Sequence, residues 1–152
     1  MVAATEKKAS EGRDAPKDAA PEPIVVSVAS TEEKIRAFVD RYCRTYARKD
    51  LDGFLGLFAA DALENGKPIR SLRPQYEENF ARTDQLAFRI SVDRWVWTAG
   101  DVTVHGRFDL RARFKDHRGV HSQGTVTLGV HPDGDSFRVT CLNYAFASAE
   151  EF

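Results

Sequence analysis

The feature that most narrows the fold is a change of period. From Ile35 to Phe80 apolar residues return every three or four positions, and from Leu86 onward they return every second one. A period near 3.6 builds helices with one apolar stripe, whereas a period of two builds strands with one apolar face. The first half therefore predicts helices and the second half strands. One-sided strands need helices laid over them, which makes the class α+β.

In the helical half, Ser30 or Thr31 is the predicted N-cap of a first helix, with Glu33 close behind in a capping box. Ile35, Phe38, Val39, Tyr42, Cys43 and Tyr46 then form its apolar stripe. Asp50 caps a shorter helix carrying Leu51, Phe54, Leu55 and Phe58. Residues 59–71 break the pattern and predict a turn with a short hairpin at Asn65-Gly66. Ser71 opens a third helix with Leu72, Tyr76 and Phe80 at i, i+4 and i+8, and Pro74 is tolerated in its first turn.

The alternating half predicts four long strands. Their apolar positions are Leu86, Phe88, Ile90 and Val92, then Val102, Val104, Phe108, Leu110, Ala112 and Phe114. Val120, Val126, Leu128 and Val130 follow, then Phe137, Val139 and Cys141. "TAGD", "DHRG" and "HPDGD" supply the turn residues between them. Three N-terminal helices packed on an antiparallel sheet of four long strands, plus a short hairpin, is the expected architecture.

With 152 residues, 42% of them hydrophobic, the chain has material for one core. Residues 1–29 are rich in Ala, Pro, Lys, Asp and Glu and read as a linker or tail, leaving a domain over 30–149. "IVVSV" at 24–28 reads as the last piece of that linker rather than an edge strand. Such a linker suggests a module tethered to other domains of a longer parent protein. A net charge of −1 gives no electrostatic ground for nucleic acid or an anionic membrane as partner. No apolar run approaches the roughly 20 residues that span a bilayer, so no membrane insertion is expected. The N-terminus lacks a signal-peptide pattern, which leaves cytoplasm and periplasm both open. Cys43 and Cys141 read as buried free thiols. His105 and His121 fall on adjacent strands without a third ligand, so neither a metal nor a cofactor is expected.

The order of elements, together with "YARKDLDGFLGLFAADALENG" and the final "FRVTCLNYAF", resembles the nuclear transport factor 2-like, or SnoaL-like, superfamily over about residues 31–148. The resemblance implies a cystatin-like cone, a strongly bent sheet wrapped around a long first helix and two shorter ones. The superfamily includes ketosteroid isomerases, polyketide cyclases, dehydratases, epoxide hydrolases and transport adaptors, beside many non-catalytic association domains. It therefore implies a fold far more than an activity. The stretch 45–66 also resembles modules at the C-termini of some bacterial envelope proteins.

Ketosteroid isomerase-like members carry a carboxylate base just after the "FAADA" turn, where this chain offers Glu64 or, with a one-residue gap, Asn65. Only Glu64 can accept a proton near neutral pH. The same resemblance gives Tyr42 and Tyr46 as donors to an oxyanion. Limonene epoxide hydrolase-like members imply a second arrangement, in which Arg107 and Asp109 match an Arg-x-Asp pair. Their further aspartate, on the last strand, is replaced here by Asn143 or Tyr144. Alternation opposes this second reading, because an inward Phe108 and Leu110 turn Arg107 and Asp109 outward unless a bulge at Gly106 intervenes.

That outer face is predicted to carry Arg89, Trp95, Trp97, His105 and Arg107, with Arg111, Arg113, His121, Gln123 and Arg138. Arg and Trp concentrate at interfaces, so a homodimer through this face is expected, as the superfamily also implies. The cone cavity is predicted to be lined by Phe38, Tyr42, Phe58, Leu63, Tyr76, Phe80, Phe108 and Asn143. The expectation is thus a non-enzymatic association or small-ligand-binding domain of a larger bacterial protein, taking a small apolar ligand. The alternative is a small isomerase or hydrolase acting on an apolar substrate in the cavity.

Overall fold

The computed structural model describes the backbone from Ile24 to Phe152 and side chains from Thr31. The linker expected over residues 1–23 lies outside the described residues. Two units meet between Arg36 and Ala37. In the first, the described backbone is the start of helix α1, Ile24–Ala47, where Glu32 and Arg36 pair one turn apart at 3.3 Å. The helix thus begins before the expected cap at Ser30 or Thr31, and the "IVVSV" stretch given to the linker is helical.

The second unit holds the remaining elements. After α1 come α2 (Leu51–Leu55), β1 (Phe58–Glu64), β2 (Lys67–Pro68), a 3-10 turn at Ile69–Leu72 and α3 (Arg73–Arg82). Four long strands follow: β3 (Thr83–Thr98), β4 (Asp101–Phe114), β5 (Gly119–Asp133) and β6 (Ser136–Glu151). Asp50 caps α2 as expected, its Oδ1 accepting from the Gly53 amide at 3.0 Å. Asn65 and Gly66, with φ of 48° and 84°, make the tight β1–β2 turn that needs two left-handed residues. Phe58, read as the end of the second helix, instead opens β1.

The class is α+β, with helices packed on a six-stranded sheet of order β2-β1-β6-β5-β4-β3. Every pairing is antiparallel except β1 with β6, which makes the sheet mixed. The hairpin therefore extends the main sheet along β6. Bonds from Val139 N to Leu57 O (2.8 Å) and Asn65 N to Leu142 O (2.7 Å) fasten the two ends of β1 to it.

Besides Asp84 at the start of β3, three extra residues reverse the alternation that the sequence suggests. Paired residues on neighbouring strands share a face, so the register reports which way each side chain points. In β3 the pairing skips Asp93, between Val92↔Gly106 and Arg94↔His105. In β6 it skips Thr140, between Val139↔Val130 and Cys141↔Gly129, and again Ala147, between Phe146↔Gly124 and Ser148↔Gln123. Each is a β-bulge, and each swaps the face of every residue beyond it. Phe137 and Val139 point inward, yet so do Leu142, Tyr144 and Phe146.

Beneath the sheet the core is aromatic. Phe54 packs on Tyr42, Tyr46 and Phe58 with centroids 5.1 to 5.2 Å apart, and Phe38 meets Phe137 at 5.9 Å. Burying such side chains contributes on the order of 1.5–3 kcal/mol each, beyond which tilted ring pairs add about 0.5–1.5 kcal/mol.

Candidate active site

A cavity of about 250 Å³ lies between the helices and the inner face of the sheet. Its walls are nearly all aromatic or aliphatic. Tyr42 and Tyr46 come from α1, Phe54 from α2, and Tyr76 and Asn79 from α3, one turn apart. The sheet adds Phe88, Phe108, Leu110, Val126, Leu142, Tyr144 and Phe146.

At the tyrosine end sits Glu64, 9% exposed although it precedes a hairpin turn. Its register partner is Leu142, which faces the cavity, while Leu63 beside it pairs with Cys141 on the other face. The Tyr76 hydroxyl donates to Glu64 Oε1, and the Tyr144 hydroxyl donates to Oε2 at 3.0 Å. Asn65 steadies the second donor, its Oδ1 accepting from the Tyr144 amide at 2.9 Å. Glu64 forms no ion pair among the described residues, so two hydroxyls carry the cost of burying it.

Tyr42 is 3% exposed, lines the cavity, and has no hydrogen-bond partner for its hydroxyl among the described residues. Burial, then the nearby Glu64 charge, holds its hydroxyl protonated well above the ordinary tyrosine range. The same two causes push Tyr46 and Tyr144 up to about 12, and Tyr76 rises as well. A carboxylate and four protonated phenols therefore converge on one end of an apolar chamber. Such an end can donate hydrogen bonds to a ligand oxygen and accept a proton.

Three of the expected lining residues, Tyr42, Tyr76 and Phe108, do line the cavity. Phe58 and Phe80 stand one layer behind, Phe58 against Tyr42 and Phe80 against Tyr46 and Tyr76, while Phe38 packs on Phe137 outside the lining. Leu63 is 40% exposed on the far face, because neighbouring residues of one strand cannot both point inward. Asn143 is also turned away, since the bulge at Thr140 reverses its face, and its amide reaches Cys141 Sγ at 3.2 Å. Cys43 is buried and Cys141 half-buried; both are free thiols.

Arg107 and Asp109 point away from the cavity. Arg107 Nη2 binds Asp93 at 2.9 Å, while Asp109 Oδ2 meets His121 Nε2 at 3.0 Å and accepts from Gln123 at 2.7 Å. Those partners hold the Asp109 carboxyl below its ordinary range. Gly106 carries no bulge, so strict alternation holds there. Arg89 and His105, with Arg111 and Arg113, share the outer face. Trp95 and Trp97 do not: the bulge at Asp93 pairs them with the buried Val104 and Val102, on the inner face. Arg138 binds Asp133 at 2.9 Å and the Gly56 carbonyl at 3.0 Å.

Among the described residues no group of three or more His, Cys, Asp or Glu side chains is placed to hold a metal. No described helix is long and apolar enough to cross a membrane.

The sequence reading missed Asn79, although it lies one turn after Tyr76 on the same helix face. It also missed Phe88, Leu110 and Val126 as lining residues, though alternation had placed them inward. For Leu142 and Phe146 the sequence holds no such signal, because the bulge at Thr140 decides their direction.

No known protein family matches the chain, and no curated protein resembles it at a significant level. Solved structures do. A protein from Novosphingobium aromaticivorans assigned as a scytalone dehydratase superposes with a TM-score of 0.77 at 9% identity, covering 85% of this chain and 92% of that one. The hexachlorocyclohexane dehydrochlorinase LinA-type3 from Novosphingobium barchaimii gives 0.68 at 9% identity, covering 85% and 94%. A nuclear transport factor 2-like protein of unknown function from Shewanella oneidensis gives 0.57 at 20% identity, covering 75% and 98%. At these identities the likeness is one of fold, and that fold is the nuclear transport factor 2-like one that the sequence motifs suggested.

Proposed function

We propose that the cavity is the active site of an acid–base enzyme that isomerises, or eliminates a group from, a small uncharged ring compound bearing a carbonyl or hydroxyl. The observation that carries this is Glu64: a buried carboxylate without a cationic partner, gripped by two tyrosines that line an aromatic cavity. Tyr42 supplies the complementary group, a buried hydroxyl whose proton is free to bind a substrate oxygen. Glu64 is not itself on the wall. A proton leaving the substrate reaches it through Tyr144 or Tyr76, whose oxygen accepts that proton as its own passes to the carboxylate. No Lys or Arg lines the chamber, which disfavours an anionic substrate. Neighbouring structures described as a dehydratase and a dehydrochlorinase belong to eliminating enzymes, and the fold accommodates such chemistry.

Association through the outer face is the weaker reading, because its two tryptophan anchors stand on the opposite face. The epoxide hydrolase-like variant has its Arg-x-Asp pair outside the chamber.

Deuterium exchange alpha to the carbonyl of 2-tetralone, followed by NMR in heavy water, tests the proposal. The wild type is expected to accelerate exchange over buffer, and E64Q to lose about 10²–10⁴-fold of that rate. Equal rates in E64Q and wild type would overturn the role of Glu64.

A further inference from the structure

Phe108, Gly124 and Phe146 stand side by side on β4, β5 and β6, on the face that lines the cavity. A Cβ at position 124 would lie 2.8 Å from the Phe108 ring and 2.0 Å from the Ala145 carbonyl oxygen. The glycine is what lets the two phenyl rings meet across an intervening strand, edge to face, with centroids 5.6 Å apart. Tyr144 completes the group at 6.3 Å from Phe108 and 5.8 Å from Phe146, nearly perpendicular to both. The bulge at Thr140 turns Phe146 inward. Yet this ring is 60% exposed, whereas Phe108 is buried. An apolar ring left open beside an apolar cavity gains most when a guest covers it.

We propose that Phe146 is the specificity-determining residue of the cavity, a wall that selects planar compounds of about two fused rings over non-planar ones of equal size. This rests on the cavity being the substrate site. Size follows from volume: a dry cavity of about 150 Å³ accepts benzene, and the 250 Å³ here leaves room for a second ring. Planarity follows from the three mutually perpendicular rings, which offer a flat guest both edges and faces. The guest's oxygen then lies at the tyrosine end, within reach of the Tyr42 hydroxyl.

The test compares binding of 2-naphthol with that of its saturated counterpart decahydro-2-naphthol, by calorimetry, in wild type, F146A and F146L. Phe146 is exposed enough for both variants to fold, which circular dichroism checks. Wild type is expected to prefer the planar probe, and F146A to lose about five- to tenfold of its affinity for 2-naphthol against under about twofold for the saturated one. F146L, apolar but without a ring, is expected to keep the saturated probe and not regain the preference. An unchanged ratio in F146A overturns the wall and leaves the cavity as a binding site. No binding of either probe to the wild type overturns the cavity itself, and the wall with it.

Discussion

Glu64 shows how little a residue's neighbours in sequence decide about its role. Next to Asn65-Gly66 it has the local setting of an exposed turn residue, and the resemblance to isomerases names it only as one of two positions. What buries it is the pairing of β1 with β6, which sets it beside Leu142 under the hydroxyls of Tyr76 and Tyr144. Those hydroxyls answer for a buried charge, so removing either leaves a carboxylate oxygen short of a donor. Y76F and Y144F are each expected to lower stability by about 1–3 kcal/mol in urea unfolding. In the E64Q background the same changes cost less, because a neutral amide tolerates a missing donor better; additive losses in the double mutants would refute the coupling. Arg107 and Asp109 make the opposite case. Their direction was legible, since β4 keeps strict alternation from Val102 to Ala112.

At the scale of elements, periodicity located the four strands and the helices, because burying one face is an energetic demand that every second residue must meet. It could not locate the bulges. Asp93, Thr140 and Ala147 share no residue type that marks an extra position, and each is defined only by the register of its partner strand. One bulge accounts for the absence of Trp95 and Trp97 from the outer face. Another accounts for Asn143 outside the cavity and Tyr144 and Phe146 within it. Deleting Thr140 removes the extra residue: Val139, Cys141 and Leu142 then alternate in, out and in, and Leu142 and Tyr144 keep their inward faces. The expected cost by denaturant unfolding therefore stays below the roughly 3 kcal/mol that turning Leu142 and Tyr144 outward would forfeit. T140A keeps the residue count and loses only the bond from its hydroxyl to the Gly129 carbonyl, 3.2 Å long, so it should cost under about 1.5 kcal/mol. A loss well above about 3 kcal/mol in the deletion would show that the faces beyond Thr140 do not follow this register.

For the molecule as a whole, the telling fact is that all four tyrosines of the chain stand at this one site. Two lie one turn apart on α1, one on α3 and one on β6, so only the folded chain brings them together around Glu64. Stability at high pH is then tied to the site. Burial and the Glu64 charge raise Tyr46 and Tyr144 from the ordinary value of 10.0 to about 12, and raise Tyr42 and Tyr76 as well. A raised pKa means that the unfolded chain loses these protons first. Below pH 10 both states keep them and the stabilisation is intact; between pH 10 and about 12 the unfolded state binds fewer protons, and stability falls as pH rises. Ultraviolet absorbance of tyrosinate should therefore stay low in the native protein through pH 10 and rise with unfolding as pH approaches 12. In E64Q the charge that helps hold the phenols protonated is gone, and native tyrosinate should form at lower pH than in the wild type. Independent titration of the native tyrosines near pH 10 would contradict a shared, buried cluster.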